Sequence, residues 1–355
     1  MSYYILPKNN NLINLSPQCS DEMCKPYISY SLLNYYLKIK EQIEDMFLYD
    51  SDLSDNTFET VSKIINPYEF IYSNVPGSKF SVSKLKYKSN VFYDLIEIVN
   101  NFNIFDNLII SKSMNFLHIS PNYNDSIECF EIFREGSSDN HINISFENDK
   151  FSIQNKIDFL FCELDSSDYF TSFIQTVMII LSSQNYNGIS IIKIGDVFYK
   201  PIIDMLYFLS SLYEKVYICK PSTNNIIYFD RYIVCKNFLH DERSNVYLKL
   251  NYLKLLVFIK KLEYNKNIVS ILNFDVPCYF KNKLDDINNI IGQQQLESLD
   301  QIFSVYKNKN KDEKIETIKK NNIQKSVLWC EKYKIPCNKF SEKINIFLPI
   351  INDGI

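Results

Sequence analysis

The residues able to do chemistry in this chain are few, and their spacing excludes more than it suggests. His118, His141 and His240 are the only histidines, and they stand far apart without metal-ligand spacing. The nine cysteines form no CxxC pair, so a zinc site is not expected. Several of them, Cys162, Cys219 and Cys235 among them, lie in apolar runs, where a free thiol behaves as a small hydrophobe. Glycine, which phosphate-cradling loops usually need, occurs six times. What remains is charge at the ends of apolar runs. Glu163 stands near the end of DFLFCEL, Lys193 near the end of GISIIKI, and Asp230 opens DRYIVC. By itself, a lysine so placed reads as the partner of either carboxylate in a structural ion pair. His118, closing another apolar run, reads as a core histidine satisfied by its neighbours.

These residues must be positioned by the elements around them. The block from Gly188 to Phe238 reads as strand, helix, strand, loop, strand. Ile189 to Ile194 has the length and β-branching of a buried strand. Pro201 suits a first helical turn, and Ile202, Met205, Leu206, Leu209 and Leu212 then share one face. Val216 to Cys219 and Arg231 to Cys235 are further strands. Upstream, strands are expected at Asn115 to Ile119, Ile127 to Phe133, Ile142 to Phe146 and Ile157 to Cys162. Helices are expected at Tyr27 to Tyr49, Phe58 to Ile65, Phe92 to Phe102 and from Asp165–Asp168 to Ser183. Residues 1–25 read as a loosely attached arm, Ser51 to Asn56 as an acidic loop, and 67–80 as an extended pair around Pro76-Gly77. Downstream, Tyr247 to Leu262 is a strongly amphipathic helix rich in Leu and Lys, followed by helices at Gln293 to Tyr306 and Lys325 to Tyr333. The charge run between them reads as a solvated helix or linker. Strands alternating with helices predict an α/β fold with a mostly parallel sheet covered on both faces. The expected division is 1–80, an N-terminal arm and helices; 81–245, the sheet domain; and 246–355, a helical extension.

Composition narrows the classes. Hydrophobic residues make up 46% of the 355, enough for a sizeable core, and 23% are charged. There is no alanine, and Asn, Lys, Ile, Tyr and Phe abound, as an AT-rich genome would give. A net charge of -4 argues against a globally basic nucleic-acid binder, leaving a local patch such as Lys84, Lys86 and Lys88 as the place for RNA. No apolar run reaches the roughly 18 residues of a membrane span, and the first residues lack the pattern of a secretory signal. The expectation is a reduced, intracellular, cytoplasmic protein without membrane or metal partners. The glycosylation triplets at Asn124 and Asn143 then read as chance matches.

The block from Lys193 to Phe238 carries a more specific signal. Its Lys193, Lys200-Pro201, Lys220-Pro221-Ser222-Thr223, Asp230-Arg231-Tyr232 and Ile233-Val234-Cys235-Lys236 resemble, in order and spacing, the C-terminal half of an FtsJ-like ribose 2'-O-methyltransferase. The likeness is greatest to the cap-methylating branch of eukaryotes and large DNA viruses. It covers roughly fifty residues and implies a Rossmann-like methyltransferase sheet with helical N- and C-terminal extensions. Members of that family use S-adenosylmethionine and methylate the ribose 2'-hydroxyl of RNA with a Lys-Asp-Lys-Glu tetrad, whose second lysine orients or deprotonates the attacking hydroxyl.

Carried over position by position, the resemblance places Lys193 at the second lysine, Glu163 at the aspartate and Asp230 at the glutamate. Ser89 to Glu97 matches the helix of the first lysine, and the lysine position is then Asp94, a charge reversal. The cofactor loop departs further. Where the family has a glycine-rich turn, this chain has Ser120-Pro121-Asn122-Tyr123-Asn124-Asp125-Ser126; Ser120, Asn122 and Asn124 hold the cofactor-binding positions, with no glycine and no matching acid. The family's Ser-Arg-Pro is replaced by Asn224-Asn225-Ile226, and the arginine suited to phosphate is gone. Two functions of different class follow. One is a degenerate, non-catalytic methyltransferase fold serving as scaffold or RNA-processing partner, with viral mRNA cap metabolism as the setting, the host cytoplasm or virion as the place, and no bound cofactor. The other is an active, divergent cap 2'-O-methyltransferase using S-adenosylmethionine.

Overall fold

The computed structural model describes residues 1–48, 58–87, 89–106, 113–146, 156–241, 244–262, 266–307 and 312–338. The expected loop at Ser51 to Asn56, and Lys88, lie outside these residues. In chain order the elements are β1 (Ser2–Ile5), β2 (Gln18–Ser20), α1 (Tyr30–Leu48), α2 (Phe58–Ile65), α3 (Val91–Phe102), β3 (Asn115–Ile119), α4 (Tyr123–Phe133) and β4 (Asn140–Asn143). There follow β5 (Ile157–Glu163), α5 (Tyr169–Ser183), β6 (Gln184–Ile194), α6 (Lys200–Leu212), β7 (Tyr213–Lys220) and β8 (Arg231–Phe238). The last are α7 (Asn245–Lys261), β9 (Asn267–Ser270), α8 (Cys278–Lys307) and α9 (Asp312–Lys332).

A seven-stranded sheet forms in the order β1-β7-β8-β6-β5-β3-β4, with β2 and β9 pairing separately. The pairs β3·β4, β3·β5 and β5·β6 are parallel, whereas β8 runs antiparallel between β6 and β7. The chain thus winds outward from β3 to β4, then returns to β5 on the other side. That reversal between β3 and β5 makes the fold doubly wound and Rossmann-like, and the crevice beyond the strand ends at such a point is where open α/β sheets bind ligands.

The pleat assigns side chains to the two faces. Phe116, Phe159, Phe161, Ile189, Ile191 and Val234 pack with α3 on one side. Leu117, Leu160, Cys162, Ile192, Ile233 and Cys235 pack with α5 and α6 on the other. Period two therefore puts Glu163, Lys193 and Tyr232 on the α3 face together. Pro201 stands in the first turn of α6, whose face is buried through Leu212. Each such leucine contributes roughly 2 kcal/mol of apolar burial. A third cluster joins α1, α2 and α8 through Tyr36, Ile43, Val61 and Leu299.

Three expectations are corrected. Ile127 to Phe133 is not a strand but most of helix α4; IECFEIF suits either period, and Asp125, Ser126, Cys129 and Phe130, spaced for a helix, are the buried residues. Residues 1–25 are not loosely attached: β1 pairs along the sheet edge with β7, and Leu6, Ile13 and Leu15 are buried. The segment 67–80 holds a 3-10 turn at Glu69–Ile71 and a turn at Gly77, whose φ is +79, rather than two strands. The charge run, expected as a solvated helix or linker, takes the helix of the two, within α9 from Asp312. The strands β2 and β9 went unanticipated because each is only three or four residues long.

Asp204 ties α6 to the second sheet. It is fully buried and accepts hydrogen bonds from the backbone N–H groups of Ile271 (2.9 Å) and Leu272 (3.1 Å), and from Lys200 (3.1 Å). Replacement by Ala leaves two buried donors unmatched. Asp204→Ala is expected to lose about 2 kcal/mol in urea unfolding. A loss below the scatter of surface substitutions would show that this junction holds nothing.

Candidate functional site

The site lies at the carboxyl ends of β5 and β6, on the α3 face. Glu163 and Lys193 are register partners across the parallel pair, and Lys193 is in turn opposite Tyr232 on β8. The Lys193 ammonium donates to Glu163 Oε2 at 3.0 Å, with the two side chains 19% and 14% exposed. Burial lowers the Lys193 pKa, but the carboxylates of Glu163, Asp94 and Asp230 outweigh it and hold the amine above its ordinary value. One cation therefore sits in the field of three acids.

Asp94 reaches this cluster from the first turn of α3 and is completely buried. Its Oδ1 accepts from the Thr223 hydroxyl, and its Oδ2 accepts from Tyr232 Oη at 2.9 Å and Asn224 Nδ2 at 3.2 Å. Burial pushes its carboxyl up to about 6 against the pull of those donors and of Lys193. One turn on, Glu97 accepts from the Ser222 backbone N–H (2.8 Å) and hydroxyl (2.9 Å). The loop after β7 is wrapped on Lys220, whose buried ammonium donates to Asn224 Oδ1 (2.9 Å) and to the carbonyls of Tyr228 (2.7 Å) and Asp230 (2.8 Å). Those three acceptors match its three N–H groups, although burial drives its pKa down to about 7. Lys220 is thus the keystone of the loop and does not stand in for the family's first lysine. Asp230 is half-buried beside it; Asn225 forms a local turn, its Oδ1 accepting from Ile227 N at 3.0 Å.

The cofactor side is built differently from a glycine-rich turn. Ser120, Pro121 and Asn122 alone join β3 to α4. The Ser120 hydroxyl donates to Glu163 Oε1 and accepts from Asn122 N at 3.2 Å. Asn122 stands at the N-cap position of α4 without a side-chain capping bond, and Asn124 lies exposed in its first turn. Asp125 accepts from the Ser89 N–H (2.7 Å) and hydroxyl (2.8 Å), pinning α4 to the start of α3. The Ser120–Glu163 bond spans the crevice between β3 and β5, where an adenosyl group would have to enter. Both Glu163 oxygens are taken, one by Ser120 and one by Lys193. The residues present do not fit S-adenosylmethionine in this arrangement.

His118 is fully buried, its Nδ1 2.7 Å from Ser126 Oγ and its Nε2 3.0 Å from His141 Nδ1. Burial, then the second ring, pushes its pKa down to about 3, so it is a neutral core histidine. The two histidines meet because β3 and β4 are parallel neighbours, a contact invisible in their spacing. Among the described residues no group of three or more His, Cys, Asp or Glu could hold a metal. No helix there is long and apolar enough to cross a membrane.

The structure thus brings Glu163, Lys193, Asp94 and Asp230 into one cluster and links Ser120 and Asn122 to it, leaving Asn124 outside. Sequence reasoning missed the roles of Thr223, Asn224, Tyr232 and Lys220. The signal was there in part: the charge reversal at 94 and the lost Ser-Arg-Pro are coupled, because Asn224, at the serine position, bonds Asp94.

No family model and no curated protein matches the chain. Three solved structures that resemble it are methyltransferases. One assigned as a ribosomal RNA methyltransferase from Plasmodium falciparum shares 17% identity over 44% of this chain and 100% of its own, with a TM-score of 0.35. An S-adenosylmethionine-dependent methyltransferase from Clostridium acetobutylicum shares 15% over 47% and 81%, with a TM-score of 0.19. The plantazolicin methyltransferase BpumL shares 14% over 75% and 94%, with a TM-score of 0.23. At such identities and TM-scores these likenesses carry no argument about site or activity. The Rossmann-like methyltransferase sheet is legible in this chain's own strand order and its antiparallel β8.

Proposed function

We propose that this chain is a catalytically silent relative of the FtsJ-like RNA ribose 2'-O-methyltransferases, acting as a scaffold or partner of another RNA-processing or capping protein, in a viral setting of mRNA cap metabolism. The observation that supports it most is Asp94. Where the resemblance calls for a lysine amine, a buried carboxylate is closed off by Thr223, Asn224 and Tyr232. A base needs a depressed lysine pKa, and three acids raise that of Lys193 instead. Exposed Lys84 and Lys86 offer RNA a modest electrostatic contact.

Calorimetric titration with S-adenosylmethionine tests this reading. No heat of binding is expected while circular dichroism reports an intact fold. Micromolar binding sinks the proposal and moves the weight to a divergent, active 2'-O-methyltransferase built on Lys193, Glu163 and Asp230. Retention on a short RNA that weakens with salt is expected at low ionic strength; its absence removes RNA from the partners.

A further inference from the structure

Helix α7 carries apolar residues on two faces, of which the fold uses one. Leu248, Asn251 and Leu255 are buried. The segment around Ile13 is strapped along this helix: Asn251 Oδ1 accepts from Leu15 N (2.9 Å), and Tyr247 Oη donates to the Ile13 carbonyl (2.7 Å). Beyond the strap, Leu250, Leu253 and Val257 stand 47%, 44% and 48% exposed. Their i, i+3, i+7 spacing makes one continuous stripe. With Leu12 and Phe274 they line a cleft of about 1110 Å³ between α7, the N-terminal strap and residues 273–274.

The cleft's shape and charge say what fits it. It is an open groove between helix α7 and the strap, suited to a rod-shaped ligand. From Leu250 to Lys261 it runs about 16 Å along α7, three turns of a second helix. Helix α7 contains Lys249, Lys254, Lys260 and Lys261 and no acid, in a chain of net charge -4. Lys254 and Lys261 stand at the cleft itself, and among the described residues no Asp or Glu lines it. We infer that this cleft docks an acidic amphipathic helix of a partner protein, its apolar stripe against Leu250, Leu253 and Val257 and its carboxylates beside Lys254 and Lys261. Such a helix-in-groove contact reads anchors at i, i+3/i+4 and i+7. It stands whether or not the Lys193 cluster has any activity.

The test is a selection on the full chain from a displayed library of peptides of roughly 18 residues, five helical turns. Binding of the enriched peptides is then measured by fluorescence anisotropy. The expected winners carry apolar residues at helical spacing and a net negative charge. Leu253→Asp and Val257→Asp should weaken them at least about tenfold, near 1.4 kcal/mol, and added salt should weaken them further. The paired change Lys254→Glu with Lys261→Glu should reverse the charge preference. All four side chains lie at the surface or near it, so circular dichroism should show the fold retained; if an aspartate variant does not fold, the lysine pair alone carries the test. Winners lacking helical period, winners with net positive charge, or undiminished binding to folded Leu253→Asp would each overturn the inference. So would Leu253-dependent flotation with phosphatidylserine–phosphatidylcholine vesicles, which would make the face a membrane contact.

Discussion

Asp94→Lys, the change that restores the tetrad lysine in type, is expected to cost at least about 4 kcal/mol and to leave the protein largely unfolded at room temperature. The position is completely buried. Donors from Thr223, Asn224, Tyr232 and, at 3.5 Å, Asn90 converge on the carboxylate and would face an ammonium that accepts nothing. The new charge would also join Lys193 and Lys220, both already in the electrostatic reach of residue 94. Asp94→Asn keeps the shape and one acceptor, and about 1 kcal/mol is expected. Urea unfolding followed by Trp329 fluorescence reads both, since that indole is buried against Tyr93. A folded Asp94→Lys within about 1 kcal/mol of the parent would show that the site is plastic enough for a second lysine. The silent reading would then lose its main support.

Lys193→Met should lose about 3 kcal/mol at pH 8, since it removes the cation that pairs with Glu163 and lies in the field of Asp94 and Asp230. The loss has a definite pH dependence. In the parent, Lys193 has a folded pKa raised above its unfolded one, so its contribution is complete below the ordinary lysine pKa and fades only in strong alkali. Asp94 has a folded pKa raised to about 6, so the folded state binds its proton more tightly and is favoured as pH falls through that range. Without Lys193, which pulls the Asp94 pKa down, that carboxyl becomes easier still to protonate. The deficit of Lys193→Met should therefore shrink between pH 8 and pH 5. A deficit that stays constant over this interval would mean that the acids are not coupled through Lys193.

Much of the fold was legible because one sheet period and one helix period sufficed. The runs ending at Ile119, Glu163 and Ile194 are apolar and β-branched or aromatic, and each became a buried parallel strand. IECFEIF was not legible, because a short apolar run satisfies both periods and only its packing on α3 chose the helix. Strand β1 was missed because an edge strand half open to solvent carries little pattern of its own; its partner β7 makes it a strand. Helix α7 looked simply amphipathic, yet its second apolar face emerged only once the strap and helix α5 had covered the first.

The sequence by itself determined the alternation of strands and helices, the strand-end positions of Glu163, Lys193 and Asp230, and the charge reversal at Asp94. Strand parity then made Glu163 and Lys193 neighbours as soon as β5 and β6 paired. The tertiary structure decided whether position 94 is open or closed. Asp94 and its partners Thr223 and Asn224 are 129 and 130 residues apart. Nothing local brings them together. They meet because α3 packs on one face of the sheet while the loop held by Lys220 folds back over the same face. A hydrogen bond between such distant segments has no local pattern to betray it, only the packing that makes it.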